Sequence, residues 1–190
     1  MQTQHLVNII ILGAPASGKK SFIRRYCQGV FTDLYDPITE TSGDRRLANI
    51  TGILTVINLE RIPSTFIQSA PESRRIATEA DALILLYDGS SIESLEEIQR
   101  IWLQVLAPHF GEAAPPTAVV AGKADGAEAA GTVWERGAGE GRKLSVLLGA
   151  KFGVASALWG DGVKDVVEEL AARVLEKKGI KKDMVVDAGS

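Results

Sequence analysis

Leu6-Val7-Asn8-Ile9-Ile10-Ile11-Leu12-Gly13-Ala14-Pro15-Ala16-Ser17-Gly18-Lys19-Lys20-Ser21 decides the fold. Leu6 to Leu12 is an apolar run of the length of one buried strand. Residues 19–28 read as a helix, with Gly29 as its stop. Between them, Gly13 to Lys19 fits G-x-x-x-x-G-K. Glycines let such a loop curl until its N–H groups face phosphate oxygens, and the helix adds its positive end. Lys19 then reaches the outer phosphates, and Ala16, Ser17 and Gly18 supply cradle backbone. A plain Gly-rich turn is the bland alternative, and the strand before and helix after argue against it. A second register remains open: a loop one residue longer makes Lys20 the phosphate lysine and Ser21 a metal ligand. It moves Gly18 from its place before the lysine.

Working outward, strands and helices alternate, as in a mostly parallel sheet with helices on its faces. Residues 30–42 are irregular. Residues 45–49 and 53–59 form two strands joined at Ile50-Thr51-Gly52, hence a hairpin. Residues 60–80 hold Pro63 and Pro71 and are expected to be partly loop. Residues 82–87 form a buried strand. Ser90 and Glu93 form a capping box for a helix to Leu106. Residues 117–121 are a strand, residues 126–141 a Gly/Ala-rich loop insertion, and residues 142–148 helix. A last strand spans 152–155. Val163, Val166, Val167, Leu170 and Val174 lie on one face of a final helix. No internal repeat or linker divides the chain.

The 190 residues suffice for one domain with a full core, at 45% hydrophobic and 24% charged. A net charge of −3 gives no global attraction to nucleic acid. Lys177, Lys178, Lys181 and Lys182 read as a solvated helix end rather than a membrane patch, which needs a second signal. Cys27 stands alone, which excludes an internal disulfide and fits a reducing compartment; it reads as a small apolar helix residue. No cysteine lies near the end to carry a prenyl group, so no lipid anchor is expected. The run before Ala14-Pro15-Ala16-Ser17 imitates a signal peptide but lacks a basic start. His5 and His109 are not spaced as metal ligands. Trp102 reads as helix packing, and Trp134 and Trp159 fall in predicted loops.

Four further segments, in order, resemble the signatures of Ras-like small GTPases. Residues 31–37 resemble the first switch, in which an aromatic at the Phe31 position packs on guanine. Asn58 ends a strand where the family places the Asp of D-x-x-G. Gly122-Lys123-Ala124-Asp125 resembles N-K-x-D, and Ser156-Ala157-Leu158 resembles S-A-K, whose backbone meets the guanine carbonyl. The resemblance implies a P-loop NTPase G domain over residues 1–178. This is an α/β fold with a mostly parallel six-stranded sheet, helices on both faces and one antiparallel edge hairpin. A C-terminal tail would occupy residues 179–190. It also implies a guanine nucleotide. Asp125 can accept from N1–H and the 2-amino group, which adenine does not offer together. The Lys123 stem and Phe31 would cover the two faces of the base. Gly122 stands in place of the Asn that ties this loop to the phosphate loop, which should loosen the site.

The departures gather around one cation. In the family, Mg²⁺ touches a Ser/Thr after the loop lysine and a Thr of the first switch, and the D-x-x-G Asp through water. Lys20, Ile38 and Asn58 stand at the matching positions, with Thr39 displaced by one residue. These side chains do not build an octahedral oxygen shell. Arg61 and Ile62 stand where the γ-phosphate-sensing Gly and water-positioning Gln would be. The resulting expectation is an atypical Ras-like protein that binds GTP or GDP without Mg²⁺ and hydrolyses little or no GTP. No residue is assigned as catalytic. It would lie in the cytoplasm and signal through effector or scaffold proteins reading two segments, Phe31 to Thr41 and Glu60 to Ala80. Two alternatives stand beside it: a nucleotide-free pseudo-GTPase scaffold, and a conventional switch using Ser21 and Thr39. A small-metabolite kinase fits Asp125 and Ser156-Ala157 poorly.

Overall fold

The computed structural model describes residues 4–32, 42–67, 69–110 and 114–181. Ile38, Thr39 and most of the first-switch segment lie outside them. The strands are β1 (His5–Leu12), β2 (Ser42–Ile50), β3 (Ile53–Arg61), β4 (Ala82–Asp88), β5 (Thr117–Gly122) and β6 (Lys151–Val154). They form one six-stranded sheet in the order β2-β3-β1-β4-β5-β6, in which β2 alone runs antiparallel to its neighbour. The expected architecture is therefore the observed one.

Burial follows position in the sheet. β4 and β5 sit inside, and every residue from Ala82 to Tyr87 and from Thr117 to Gly122 is buried. Such strands read as continuous apolar runs because helices cover both faces. β3 alternates instead, with Ile57 and Leu59 buried and Asn58 and Glu60 half-buried. Edge strand β2 carries Arg45 and Arg46, charges that discourage pairing with another chain. Its two-residue turn puts Thr51 at φ 52° and Gly52 at φ 91°, the double left-handed geometry that matches strand twist.

The helices are α1 (Lys19–Gln28), α2 (Ser64–Ile67), α3 (Ala70–Glu79), α4 (Ile92–Arg100), α5 (Ala107–Phe110), α6 (Ala127–Ala130), α7 (Thr132–Leu147) and α8 (Val163–Lys177). Val7, Ile9 and Ile11 of β1 pack with Phe22 of α1 and Val167 and Leu170 of α8. The alternate residues Ile10 and Leu12 pack on the opposite face with Ile76, Ile98 and Leu144 of α3, α4 and α7. The strand period of two thus feeds two cores from one apolar run.

Residues 60–80 are partly loop, at Ile62, Pro63 and Ser69, and otherwise mostly helical: Pro63 precedes α2, and Pro71 sits in the first turn of α3, where a missing N–H costs nothing. Three local expectations are corrected. The α4 cap is Ser91 rather than Ser90, its Oγ accepting the Ser94 N–H at 3.1 Å. α4 runs on through a π-helical segment, Ile101–Leu106, into α5. The Gly/Ala-rich insertion is no loop; it forms α6 and most of α7, with Trp134 inside the helix. Its glycines permit contact: a Cβ at Gly137 would lie 2.1 Å from the Gly89 carbonyl oxygen.

Candidate nucleotide site

The carboxyl ends of β1, β3, β4 and β5 open onto a cavity of about 510 Å³, a volume suited to a small-molecule ligand. Its walls include Ala16, Ser17, Gly18, Lys19, Lys20 and Ser21 at one end. Phe31, Lys123, Asp125, Ala157 and Leu158 stand at the other, with Gly122 against the loop at Ser17. The structure thus brings nearly every expected nucleotide-binding residue into one cleft. Gly13 and Ser156 lie beneath it.

Gly18 caps α1 in the left-handed region, at φ 95°, and so turns the chain from loop into helix. Lys19, 3% exposed, folds back over the loop and donates to the Gly13 and Ala14 carbonyls, at 2.7 Å each. Lys19, not Lys20, is therefore the lysine built into the loop, which favours the shorter register. Burial, and secondarily the Arg61 guanidinium, bring its pKa down to about 8. Gly13 lies against β4, where an added Cβ would meet the Leu86 carbonyl oxygen at 2.1 Å. That contact admits only glycine.

At the other end Lys123 adopts the left-handed conformation, φ 57°, and its Nζ pairs with Asp88 at 2.8 Å. Asp88 is itself held by the Ser90 N–H at 2.9 Å. Ser156, fully buried, donates from Oγ to Asp125 Oδ1 at 2.7 Å and accepts the Trp159 N–H at 3.1 Å. The Ala124 N–H donates to the Ala155 carbonyl at 3.1 Å, tying the two base-end loops together. Asp125 is thus oriented with its second oxygen left for a ligand.

Asn58 does not stand at the strand end. β3 continues to Arg61, and the Asn58 amide lies inside the sheet, donating to Asn8 Oδ1 at 3.1 Å and accepting from Arg45 Nε at 3.2 Å. The strand alternation places it with Glu60 rather than beside the loop. Ile62 is fully buried in the core. Glu60 pairs with Arg75 of α3 at 2.5 Å, and Arg75 also holds Glu72 and Glu79.

Among the described residues no cluster of His, Cys, Asp or Glu forms a metal site, and Asp125 is the one carboxylate on the cavity wall. The phosphate end offers the Ser17 and Ser21 hydroxyls beside the Lys19 and Lys20 ammonium groups. Among the described residues this end gives a divalent cation two hydroxyl oxygens and no carboxylate, so the remaining ligands would have to come from phosphate and water.

A family model described as "Ras family" matches residues 8–176. The chain belongs to the Ras family. "GTP-binding protein Rhes" of Mus musculus is 31% identical over 99 residues, covering 52% of this chain and 36% of that protein. "GTP-binding protein Di-Ras2" of Pongo abelii is 26% identical over 163 residues, covering 85% and 78%. "Ras-related protein Rab-21" of Geodia cydonium is 26% identical over 174 residues, covering 88% and 70%. The chain thus spans about a third of the length of the Rhes proteins it matches. As a Ras-family member it keeps the loop lysine, Lys19, and the base-end aspartate, Asp125.

Two residues at the site, Asp88 and Arg25, belong to none of the sequence motifs. Asp88 sits at the carboxyl end of a central strand, where ligands of open α/β sheets bind, and that position could have found it. Arg25 reaches the base end from the third turn of α1, a contact across more than 130 residues of chain that no local pattern encodes.

Proposed function

We propose that this Ras-family chain binds GTP or GDP without Mg²⁺, hydrolyses GTP slowly or not at all, and acts in the cytoplasm through protein partners. Those partners would read residues 31–41 and 60–80. One observation carries the reading: a single cavity has Lys19 and Lys20 at one end and Asp125 at the other, with no other carboxylate among its described wall residues. Ammonium groups can neutralise phosphate charge in place of a metal, Lys19 doing so while two of its donors stay on the Gly13 and Ala14 carbonyls. Asp125 faces a base edge that has two adjacent donors, as guanine has. Phosphoryl transfer depends on placing a water and neutralising the transition state. Ile62 is buried in the core and Glu60 is spent on Arg75, so neither is placed to hold that water. Among the described residues no helix is long and apolar enough to cross a membrane.

A second reading, a scaffold with an empty site, draws on Gly122. A Cβ there would lie 3.5 Å from the Ser17 carbonyl oxygen, so a side chain at this position could tie the two loops, and glycine cannot. Titration of nucleotide-stripped protein with fluorescent GTP, GDP and ATP, in Mg²⁺ and then in EDTA, separates the readings. Guanine-selective binding that survives EDTA is expected, with Lys20→Ser creating little Mg²⁺ dependence. Binding that collapses in EDTA would return the chain to a conventional switch. Binding of none of the three would leave the scaffold.

A further inference from the structure

We propose that Arg25 is a positioning residue for base recognition: it holds the backbone at Ala157 and Leu158 so that the Leu158 N–H faces an acceptor on the nucleobase edge. The proposal rests on the guanine-nucleotide reading above. Arg25 belongs to α1, the helix that starts at the phosphate loop, yet its side chain serves the opposite end of the cavity. Its Nε donates to the Ala157 carbonyl at 2.6 Å, and Nη2 donates to the Leu158 carbonyl at 2.5 Å. Nη1 donates to the Gly29 carbonyl at 2.9 Å, while the Gly29 N–H returns to the Arg25 carbonyl at 3.1 Å. One planar guanidinium therefore ties the end of α1 to two consecutive carbonyls of the loop after β6. A lysine, a point charge without a fork, does not reproduce this.

Peptide planarity gives the tie a direction. In a trans peptide the N–H opposes the preceding carbonyl. With the Ala157 carbonyl turned onto Arg25, the Leu158 N–H points away from Arg25, and Leu158 is a wall residue of the cavity. The next amide, Trp159 N–H, is spent on Ser156 Oγ. Gly160, at φ +94°, brings the chain back past Arg25, where a Cβ would lie 3.5 Å from Arg25 Cδ. The base edge would thus meet two groups fixed by different supports. Asp125 is oriented by Ser156 and takes the N1–H and 2-amino donors. The Leu158 N–H is oriented by Arg25 and gives a donor to the 6-oxo group.

The two supports can be tested apart. Affinities of the full chain for GDP, inosine diphosphate and 6-thioguanosine diphosphate are compared, with and without Arg25→Ala. Inosine lacks the 2-amino group. The 6-thio analogue keeps both donors and replaces the carbonyl oxygen with a weak acceptor. Arg25→Ala should weaken GDP binding by about tenfold, the scale of one charge-supported hydrogen bond. It should also shrink the preference for GDP over the 6-thio analogue while leaving the preference over inosine diphosphate in place. Arg25→Lys should fall between wild type and Arg25→Ala, and it carries the same comparison if the alanine variant does not fold. Unchanged preferences, or an equal loss of both, would overturn the proposal by making Arg25 irrelevant or merely structural. Wild-type protein that binds no guanine nucleotide would overturn the functional reading itself, and this inference with it.

Discussion

Lys19 is a buried ammonium whose hydrogen bonds go to backbone carbonyls, and its pKa of about 8 sets how the site responds to pH. A bound polyphosphate favours the charged form and raises that pKa. Below about pH 8 the ammonium is already present, so this group makes affinity insensitive to pH. Above it binding must take up a proton, and affinity should fall by up to about tenfold per pH unit until the pKa of the complex is reached. Calorimetric titration at successive pH values, in buffers of different ionisation enthalpy, would reveal the proton uptake; flat affinity up to about pH 10 would remove Lys19 from phosphate binding. Ala16 makes a separate prediction. It is exposed and held at φ 60°, a region costly for any residue with a Cβ. Ala16→Gly should stabilise the ligand-free protein by about 0.5–1 kcal/mol, the strain relieved less the extra freedom glycine gains in the unfolded chain. Urea unfolding with an unchanged slope would measure it.

At the scale of elements, α7 shows composition and packing pulling in opposite directions. Three of its glycines lower helix propensity, and two of them, Gly137 and Gly141, lie against neighbours with no room for a methyl group. A Cβ at Gly141 would meet the Tyr87 hydroxyl at 2.0 Å, while Gly139 faces open space. Alanine in a helix gains about 1 kcal/mol over glycine where nothing else changes. Gly139→Ala should therefore stabilise by about 0.5–1 kcal/mol. Gly137→Ala should destabilise by about 1–3 kcal/mol, because the Gly89 backbone must move. Chemical denaturation of the two variants would test the pair, and stabilisation by both would mean that Gly137 and Gly89 are not in contact in solution. The same helix explains why the Gly/Ala stretch reads as loop: small residues lower propensity locally, and their reward, close approach to β4, lies about 50 residues away in the sequence.

At the scale of the whole molecule, two kinds of information separate. The apolar runs of β1, β4 and β5, the period-two pattern of β3 and the glycine-bounded loop before α1 are local, and each carries its own structural instruction. Strand identity, the antiparallel hairpin, the phosphate loop and the base-end Lys123 and Asp125 follow from the sequence because each depends on residues within one turn or one strand. Tertiary structure decided what depends on register and reach. β3 extends past Asn58 to Arg61, which turns that amide into a sheet contact with Asn8 and Arg45. Lys19 rather than Lys20 occupies the loop, because Gly18 must turn left-handed immediately before the buried lysine. Arg25 and Asp88 join the site only when α1, β4 and the loop after β6 meet at one end of the sheet. A hydrogen bond between distant segments has no local periodicity, so the folded chain alone brings its two partners together.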